Sequence, residues 1–276
     1  MSELSAVHMT AFGAAAARAR HMNLEGEPKI LNDPFAQKLL GWSDHQVALL
    51  TAPMAQRPYG AALWAMRSRF TEDRLATAIT DGVSQYVVLG AGLDTFALRN
   101  ENARESLTVF EVDAPPLQRW KQERMRELGI AVPERLRFAP CDFESMALAS
   151  ALAGAGFDAH RAAVVSWLAV TQYLTRAAID ETLRWAASLA KGSEIVLTYV
   201  VPGEEAEAEK AMLAARGVQF STFFTPEEME AALLGAGLRA VEHLTPEDAQ
   251  RVYFDGRSDG LVAPQLERLV VAKSGE

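Results

Sequence analysis

Beyond residue 82 the chain alternates short β-rich runs with helix-length stretches, and this alternation restricts its fold more than any other feature. QYVVLG, LTVFEV, RLRFAP, AAVVSW and SEIVLTYV are separated by a short helical stretch after Asp94 and by helical patterns over 115–128, 145–154 and 175–190. Strands joined by helical crossovers pair in parallel, with both sheet faces covered and ligands held at the carboxyl ends of the strands. The last two runs, LRAVEHL and ERLVVAK, lack a helix-length connection and are expected to pair antiparallel. Ahead of residue 82 the reading is helical. Residues 5–20 and 60–80 are Ala-rich or helically periodic, and in NDPFAQKLLG Asp33 and Pro34 stand as N-cap and first-turn residue with Gly41 as the stop. One domain over 1–276 is expected, with a helical N-terminal cover (1–81) on an α/β core (82–276). A charged segment, 203–224, interrupts the core before a helix that opens on a Thr225–Glu228 capping box.

Composition narrows the function classes. With 276 residues, 49% hydrophobic and 23% charged, there is ample material for a core. The formal net charge of -9 provides no basic surplus for a phosphate backbone, so nucleic acid is not expected as a partner. The longest apolar runs, such as AAVVSWLAV at 162–170, are too short to span a bilayer, and the Ala-rich N-terminus carries Arg18 and Arg20 rather than a leader's apolar stretch. A single cysteine, Cys141, with no Cys/His cluster around it, fits a reducing compartment, and a cytoplasmic location is expected. No metal site is expected either.

The turn after the first strand, LGAGLD, holds the most specific chemistry. Gly90, Ala91 and Gly92 lie where a ligand can approach the backbone closely, although two glycines alone also describe a plain strand-to-helix turn. A dinucleotide fingerprint continues to a third glycine and leaves a helix N-terminus free for pyrophosphate. Here Thr95 takes the third position and Asp94 adds a carboxylate that repels phosphate. S-adenosylmethionine carries an ammonium and a sulfonium but no phosphate, so an acid in this turn favours it. Glu111 and Asp113, about twenty residues on at the end of the second strand, are expected on one side of that strand as acceptors for ribose hydroxyls. Asp113, followed by Ala114, Pro115 and Pro116, is equally a natural helix cap. Asp142 and Phe143 end the third strand, where they can meet an adenine or simply form a turn.

In order along the chain, NDPFA (32–36), RSRFTED (67–73), VVLGAGLDTFALR (87–99), FEVDAP (110–115), CDFE (141–144), SWLAVTQYLT (166–175) and FTPEEM (224–229) carry a family resemblance. From about residue 10 to the C-terminus the chain resembles class I S-adenosylmethionine-dependent methyltransferases of the leucine carboxyl methyltransferase-like family, in its bacterial O-methyltransferase branch. That resemblance implies a Rossmann-like, seven-stranded, mainly parallel sheet with helices on both faces. It further implies a helical N-terminal cover and a lid inserted after the fifth strand. It assigns Arg67 to the methionine carboxylate, Gly90 and Gly92 to the methionine moiety, Asp113 to the ribose, and Asp142 and Phe143 to the adenine. One departure stands out: relatives with a Glu-Gly pair after the fourth strand contrast with Leu168 and Ala169 here, leaving Ser166, backbone carbonyls or Asp94 for the ammonium.

The residues themselves bear on these roles. At 100° per residue Leu63, Met66 and Phe70 form an apolar stripe with Arg67 on its flank, which gives Arg67 a ligand carboxylate or a salt bridge to Asp94 or Glu72 as partner. Gln172 and Tyr173 are placed at the mouth of the sheet as acceptor-site candidates, with ordinary helix packing the alternative for Tyr173. Phe223, with Phe220 and Phe224, ends the 203–224 segment and is expected either to close over a partly apolar acceptor or to anchor the loop. His8, His21, His45, His160 and His243 form no recognisable dyad, so no general base is named. The expected activity is methyl transfer from S-adenosyl-L-methionine to a carboxylate or hydroxyl of a small molecule. The alternatives are a nicotinamide-dependent oxidoreductase and a non-catalytic cofactor-binding module.

Overall fold

The computed structural model describes residues 4–99 and 107–275. Four helices open the chain: α1 (Met9–Leu24), α2 (Pro34–Leu40), α3 (Asp44–Leu50) and α4 (Ala62–Thr80). The alternating region follows as β1 (Gln85–Leu89), α5 (Phe96–Arg99), β2 (Thr108–Asp113), α6 (Pro115–Glu127), β3 (Leu136–Pro140), α7 (Leu148–Gly154), β4 (Val164–Trp167), α8 (Arg176–Ala187) and β5 (Glu194–Val200). Then come α9 (Glu204–Ala214), α10 (Pro226–Ala236), β6 (Arg239–Leu244), α11 (Pro246–Ala249) and β7 (Glu267–Lys273).

The seven strands form one sheet in the order β3-β2-β1-β4-β5-β7-β6. The first five pair in parallel, and β7 runs antiparallel between β5 and β6, although the β6–β7 connection, expected to lack helix, carries two short helical turns, Pro246–Ala249 and Gln250–Phe254. The order reverses beside β1, so the carboxyl ends of β1 and β4 diverge there and open a crevice.

Each central strand is buried on both sides, and its residues alternate between two cores. Val87, Leu89, Phe110, Val112, Val165 and Trp167 face α7, α8 and α10, contributing Leu152, Ile179, Leu183, Met229 and Leu233. On the other side Tyr86, Val88, Val109 and Val164 pack with Phe96 and with Leu75 of α4, while Val196 and Val271 meet Leu63 and Met66. The stripe on α4 thus lies against the sheet, and Arg69 stays outside, paired with Asp73 at 2.7 Å.

Three of the local signals have the geometry that their residue types dictate. Asp33 accepts the Ala36 N–H at 3.0 Å, Gly41 ends α2 at φ +67°, and Thr225 and Glu228 close a reciprocal capping box on α10.

Asp33 does more than cap. Fully buried, it also accepts the Thr95 hydroxyl and the Arg18 Nε–H, each at 2.8 Å, and Arg18 donates to the Leu93 carbonyl at 2.7 Å. Arg99, beside Asp33, reaches Glu72 of α4 at 2.6 Å. One carboxylate therefore joins α1, α2 and the turn after β1. Apolar contact reinforces the junction, with Phe12, Ala15 and Ala16 packed on Leu40, Leu93 and Leu117.

The 203–224 segment is fastened to the residues ahead of α4. Its acidic start is not solvated throughout: Glu205 accepts the Tyr59 hydroxyl at 2.6 Å and Glu209 pairs with Arg57, tying α9 to the segment ahead of α4.

Burial pushes the Asp33 carboxyl up, but the Arg18 and Arg99 guanidinium groups, with hydrogen bonds from Arg18 and Thr95, outweigh it and hold its pKa below the usual value. The unfolded chain then binds the proton first as pH falls, so this contribution is complete above about pH 5 and disappears as pH drops through the folded pKa, below about 3.9. Asp33→Asn should cost about 3 kcal/mol at pH 7 by leaving Arg18 buried without its counter-charge. Urea denaturation at several pH values checks both points, and the gap between variant and parent should close only in acid.

Candidate active site

A cavity of about 370 Å³ occupies the crevice at the carboxyl ends of β1, β2, β3 and β4, roofed by α1 and bordered by Arg67 of α4. Its size falls in the range of about 300–1,000 Å³ typical of small-ligand sites. Gly90, Ala91, Gly92, Asp94, Asp113, Asp142, Phe143, Ser166, Arg67 and Tyr173 all border it. Glu111, Gln172 and Phe223 do not.

The glycines of the turn make room for the protein itself. Gly90 and Gly92 have φ of +67° and +50°. A Cβ on Gly90 would overlap the Val170 side chain, and one on Gly92 would stand 2.9 Å from Ala11 Cβ of α1. The backbone is thereby pressed between the loop after β4 and the N-terminal helix, with its ligand-facing edge bare.

The carboxylates divide into two levels. Asp113 sits at the strand end and accepts N–H groups from Gly92 and Ala114, one on each oxygen, so it pins the turn to β2 instead of capping α6. Burial pushes its pKa up, against those two hydrogen bonds and the charge of Lys121. Glu111 corrects the expectation made for it. It shares the face of Asp113 but lies two residues back, about 6–7 Å deeper along the strand. There it is 1% exposed and paired with Lys121. Lys121 also donates to the Asp94 carbonyl at 2.7 Å, so the pair braces the turn from beneath and offers no group to a ligand.

Asp94 accepts the Phe96 N–H at 2.8 Å, which occupies the head of α5, a helix of only four residues. At β3, Asp142 accepts from the Glu144 N–H and the Ser145 hydroxyl, while Phe143 tilts against Trp167 with centroids 6.4 Å apart. Ser166 is buried and accepts the Tyr86 hydroxyl at 3.0 Å.

Arg67 lines the cavity and pairs with Glu267, not with Asp94 or Glu72. Tyr173 lines it as well. Burial pushes the tyrosine hydroxyl above its usual range, against hydrogen bonds from Gln172 and Thr10. Gln172 is 4% exposed and stands behind Tyr173, with its Oε1 lacking a hydrogen-bond partner. Phe223 packs on Phe220 and under Lys210 within a small core of Val200, Ala206 and Leu266, and only Phe220, in edge contact with Tyr173, approaches the cavity. The loop-anchor alternative thus describes Phe223.

Arg18 lines the cavity although the sequence reading did not single it out as a site residue. Arg18 becomes visible only once α1 is laid over the turn, since nothing in AAAARARHM separates it from Arg20. His8 borders the cavity with its Nδ1 accepting the Ser5 N–H at 3.0 Å, which leaves the proton of the neutral ring on Nε2. His21 is fully buried, bridging Glu25 at 2.8 Å and the Ile30 N–H at 3.0 Å, away from the cavity.

The donor set selects the kind of ligand that fits. Asp94, Asp113, Asp142 and Glu144 line the cavity against Arg18 and Arg67, and each of those guanidinium groups is already engaged by a carboxylate of the protein. Such a lining suits a cationic nucleoside conjugate. Its four carboxylates would repel a pyrophosphate, and Asp94 occupies the head of α5 where a phosphate would sit. Among the described residues no cluster of His, Cys, Asp and Glu could hold a metal ion, and no helix is long and apolar enough to cross a membrane.

Comparison with known proteins bears on the family and the fold. The family model described as leucine carboxyl methyltransferase matches residues 11–187. A relative in Bacillus subtilis (strain 168), named "Putative S-adenosyl-L-methionine-dependent methyltransferase YktD", is 33% identical over 253 residues, covering 87% of this chain and 77% of its own. A solved structure from Thermobifida fusca YX, titled as a putative methyltransferase, superposes with a TM-score of 0.60 at 20% identity over 87% of this chain and 93% of its own. The CurJ carbon methyltransferase superposes at 0.55 and 16% identity, over 97% of this chain and 69% of its own. At these identities the structural likeness bears on the fold.

The Leu168–Ala169 departure has a physical signature. Ala169 lines the cavity at φ +56°, the left-handed region that glycine enters freely, and it donates its N–H to Thr198 at 2.7 Å. An L-residue there costs about 1–2 kcal/mol, and glycine returns about 0.5–1 kcal/mol through its freer unfolded chain. Ala169→Gly should therefore raise stability by roughly 0.5–1 kcal/mol at unchanged m-value in urea. A loss of stability would mean that the Ala169 methyl packs more favourably than the strain costs.

Proposed function

The chain belongs to the leucine carboxyl methyltransferase family, and from that premise we propose that this S-adenosyl-L-methionine-dependent methyltransferase methylates an oxygen, that of a carboxylate or an acidic hydroxyl on a small, partly apolar molecule. Bound in the crevice, the cofactor supplies a methyl group already activated by its sulfonium. The protein's part is then positioning and exclusion of water.

In this reading Gly90, Ala91 and Gly92 present bare backbone to the methionine moiety, Arg67 meets its carboxylate, and Ser166 and Asp94 lie on the side of its ammonium. Asp113, whose oxygens each keep a lone pair beyond the backbone bonds, accepts from the ribose. Asp142 and Phe143 take the adenine edge and face. Glu111 acts one layer below, through Lys121. The N-terminal helical cover encloses the acceptor, with Tyr173 at its end of the cavity.

The observation that carries the choice of oxygen is that no described residue lining the cavity is a free base. The His8 Nδ1 is occupied by the Ser5 N–H, and the Tyr173 hydroxyl is held protonated by burial. The Asp94, Asp113 and Asp142 carboxylates are committed to the cofactor in this reading, and both Glu144 oxygens hold donors of Thr175. An acceptor ionised on its own near neutral pH needs none, and a carboxylate, with a pKa of about 4, meets that condition best. The reaction forms the oxygen–methyl bond as the sulfonium–methyl bond breaks, leaving a neutral thioether and a methyl ester from a carboxylate or a methyl ether from a hydroxyl. The buried Cys141 thiol supports a reducing, cytoplasmic setting.

Incubation with methyl-labelled cofactor and small-molecule extract tests the proposal. Mild alkali applied to the labelled product should release the label as methanol from an ester, and label that survives should lie on an ether oxygen. Label that survives alkali on a carbon or nitrogen atom would contradict transfer to oxygen.

A further inference from the structure

Arg67 and Glu267 lie 200 residues apart in sequence, on α4 and at the first residue of β7, and meet at the border of the cavity. Both side chains are almost wholly buried, at 8% and 7% exposure. One nitrogen, Arg67 Nη1, contacts both Glu267 oxygens at 3.1 Å. Nη1 carries two of the five guanidinium hydrogens, so Glu267 consumes that end of the fork. The remaining three, on Nε and Nη2, form the side edge, which matches a carboxylate in bidentate fashion. The Trp64 ring lies 5.6 Å from the Arg67 Cζ and covers one face of the guanidinium.

An arginine on a long, rotatable stem loses much of its value as an anchor if its fork is free to turn. With one end bound by Glu267 and one face against Trp64, the fork has a single edge left to offer. We infer that Glu267 is a positioning residue for the cofactor: it fixes Arg67 so that the Nε–Nη2 edge meets the methionine carboxylate. Glu267 also balances the guanidinium charge before the cofactor arrives, so Arg67 is not drawn to the acids nearby. This role rests on the reading of Arg67 given above.

The same reasoning explains why the pair is compatible with binding a second carboxylate. Glu267 and the incoming anion address opposite sides of one delocalised cation, which lies between them and offsets their repulsion. A neutral amide at position 267 keeps one acceptor but turns two donors toward the guanidinium, and the fork rotates.

Calorimetry with two ligands isolates the effect: S-adenosylhomocysteine carries the amino-acid carboxylate, and 5′-methylthioadenosine lacks it. Glu267→Gln should weaken S-adenosylhomocysteine about tenfold or more, as expected for misaligning a charge-assisted hydrogen bond, and leave 5′-methylthioadenosine unchanged. Unchanged binding of the second ligand also certifies that the variant is folded. Equal weakening of both ligands would make Glu267 a merely structural residue and overturn the inference, as would unchanged or tighter binding of S-adenosylhomocysteine. Arg67→Ala separates the two levels. If it lowers only the S-adenosylhomocysteine affinity while Glu267→Gln does not, the role of Arg67 stands and that of Glu267 falls. If it leaves the ratio of the two affinities unchanged, the reading of Arg67 fails and takes the inference with it.

Discussion

The buried Asp33 carboxylate is the constraint on which the site depends. A strand-to-helix turn rich in glycine has little rigidity of its own, because glycine brings no side chain to hold it. Here rigidity comes from outside the turn. Asp33 takes the Thr95 hydroxyl and the Arg18 guanidinium while capping α2, and Arg18 passes on to the Leu93 carbonyl. The turn after β1 and the helices above it are thus parts of one hydrogen-bonded unit. The same unit sets the roof of the cavity, since Ala11 and Ala14 of α1 border it.

From below, a second buried pair completes the support. Lys121 joins Glu111 to the Asp94 carbonyl, and Asp113 ties Gly92 to the start of α6. Burial pushes the Glu111 carboxyl up to about 7, with Lys121 opposing it, so this pair costs desolvation and persists because the geometry satisfies both partners. The consequence is a turn whose amide groups are partly spent inside the protein and whose exposed side is lined by acids. That distribution of donors and charge, more than the glycines, separates this crevice from one built for pyrophosphate.

Much of this was legible in the sequence, for identifiable reasons. Strand and helix periods place Gly90, Asp113 and Asp142 at the ends of successive strands, and the topology of a parallel sheet brings such ends together without further information. The seven runs, the antiparallel last pair and the capping box follow from local patterns of the same kind. Other features depend on distant residues and left no local trace. Glu111 shares a face with Asp113, so period-2 reasoning treats them alike, and only the depth of the strand end in the sheet separates a lining residue from a buried brace. Glu267 stands in a strand that reads as core, and nothing in ERLVVAK announces a partner on α4. Phe223 looked like a closing residue because aromatic side chains suit both roles, and packing against Phe220 decided between them. Arg18 was hidden by its resemblance to its neighbour Arg20, the two being distinguished only by which side of α1 faces the turn.

An acid-lined turn of this kind admits a phosphate-free, cationic nucleoside cofactor and refuses a dinucleotide. Calorimetric titration of the purified protein with S-adenosyl-L-methionine and, separately, with NADH tests this selectivity. Saturable one-to-one binding of the first and no detectable heat of binding from the second are expected. Saturable binding of NADH, with none of S-adenosyl-L-methionine, would contradict this selectivity.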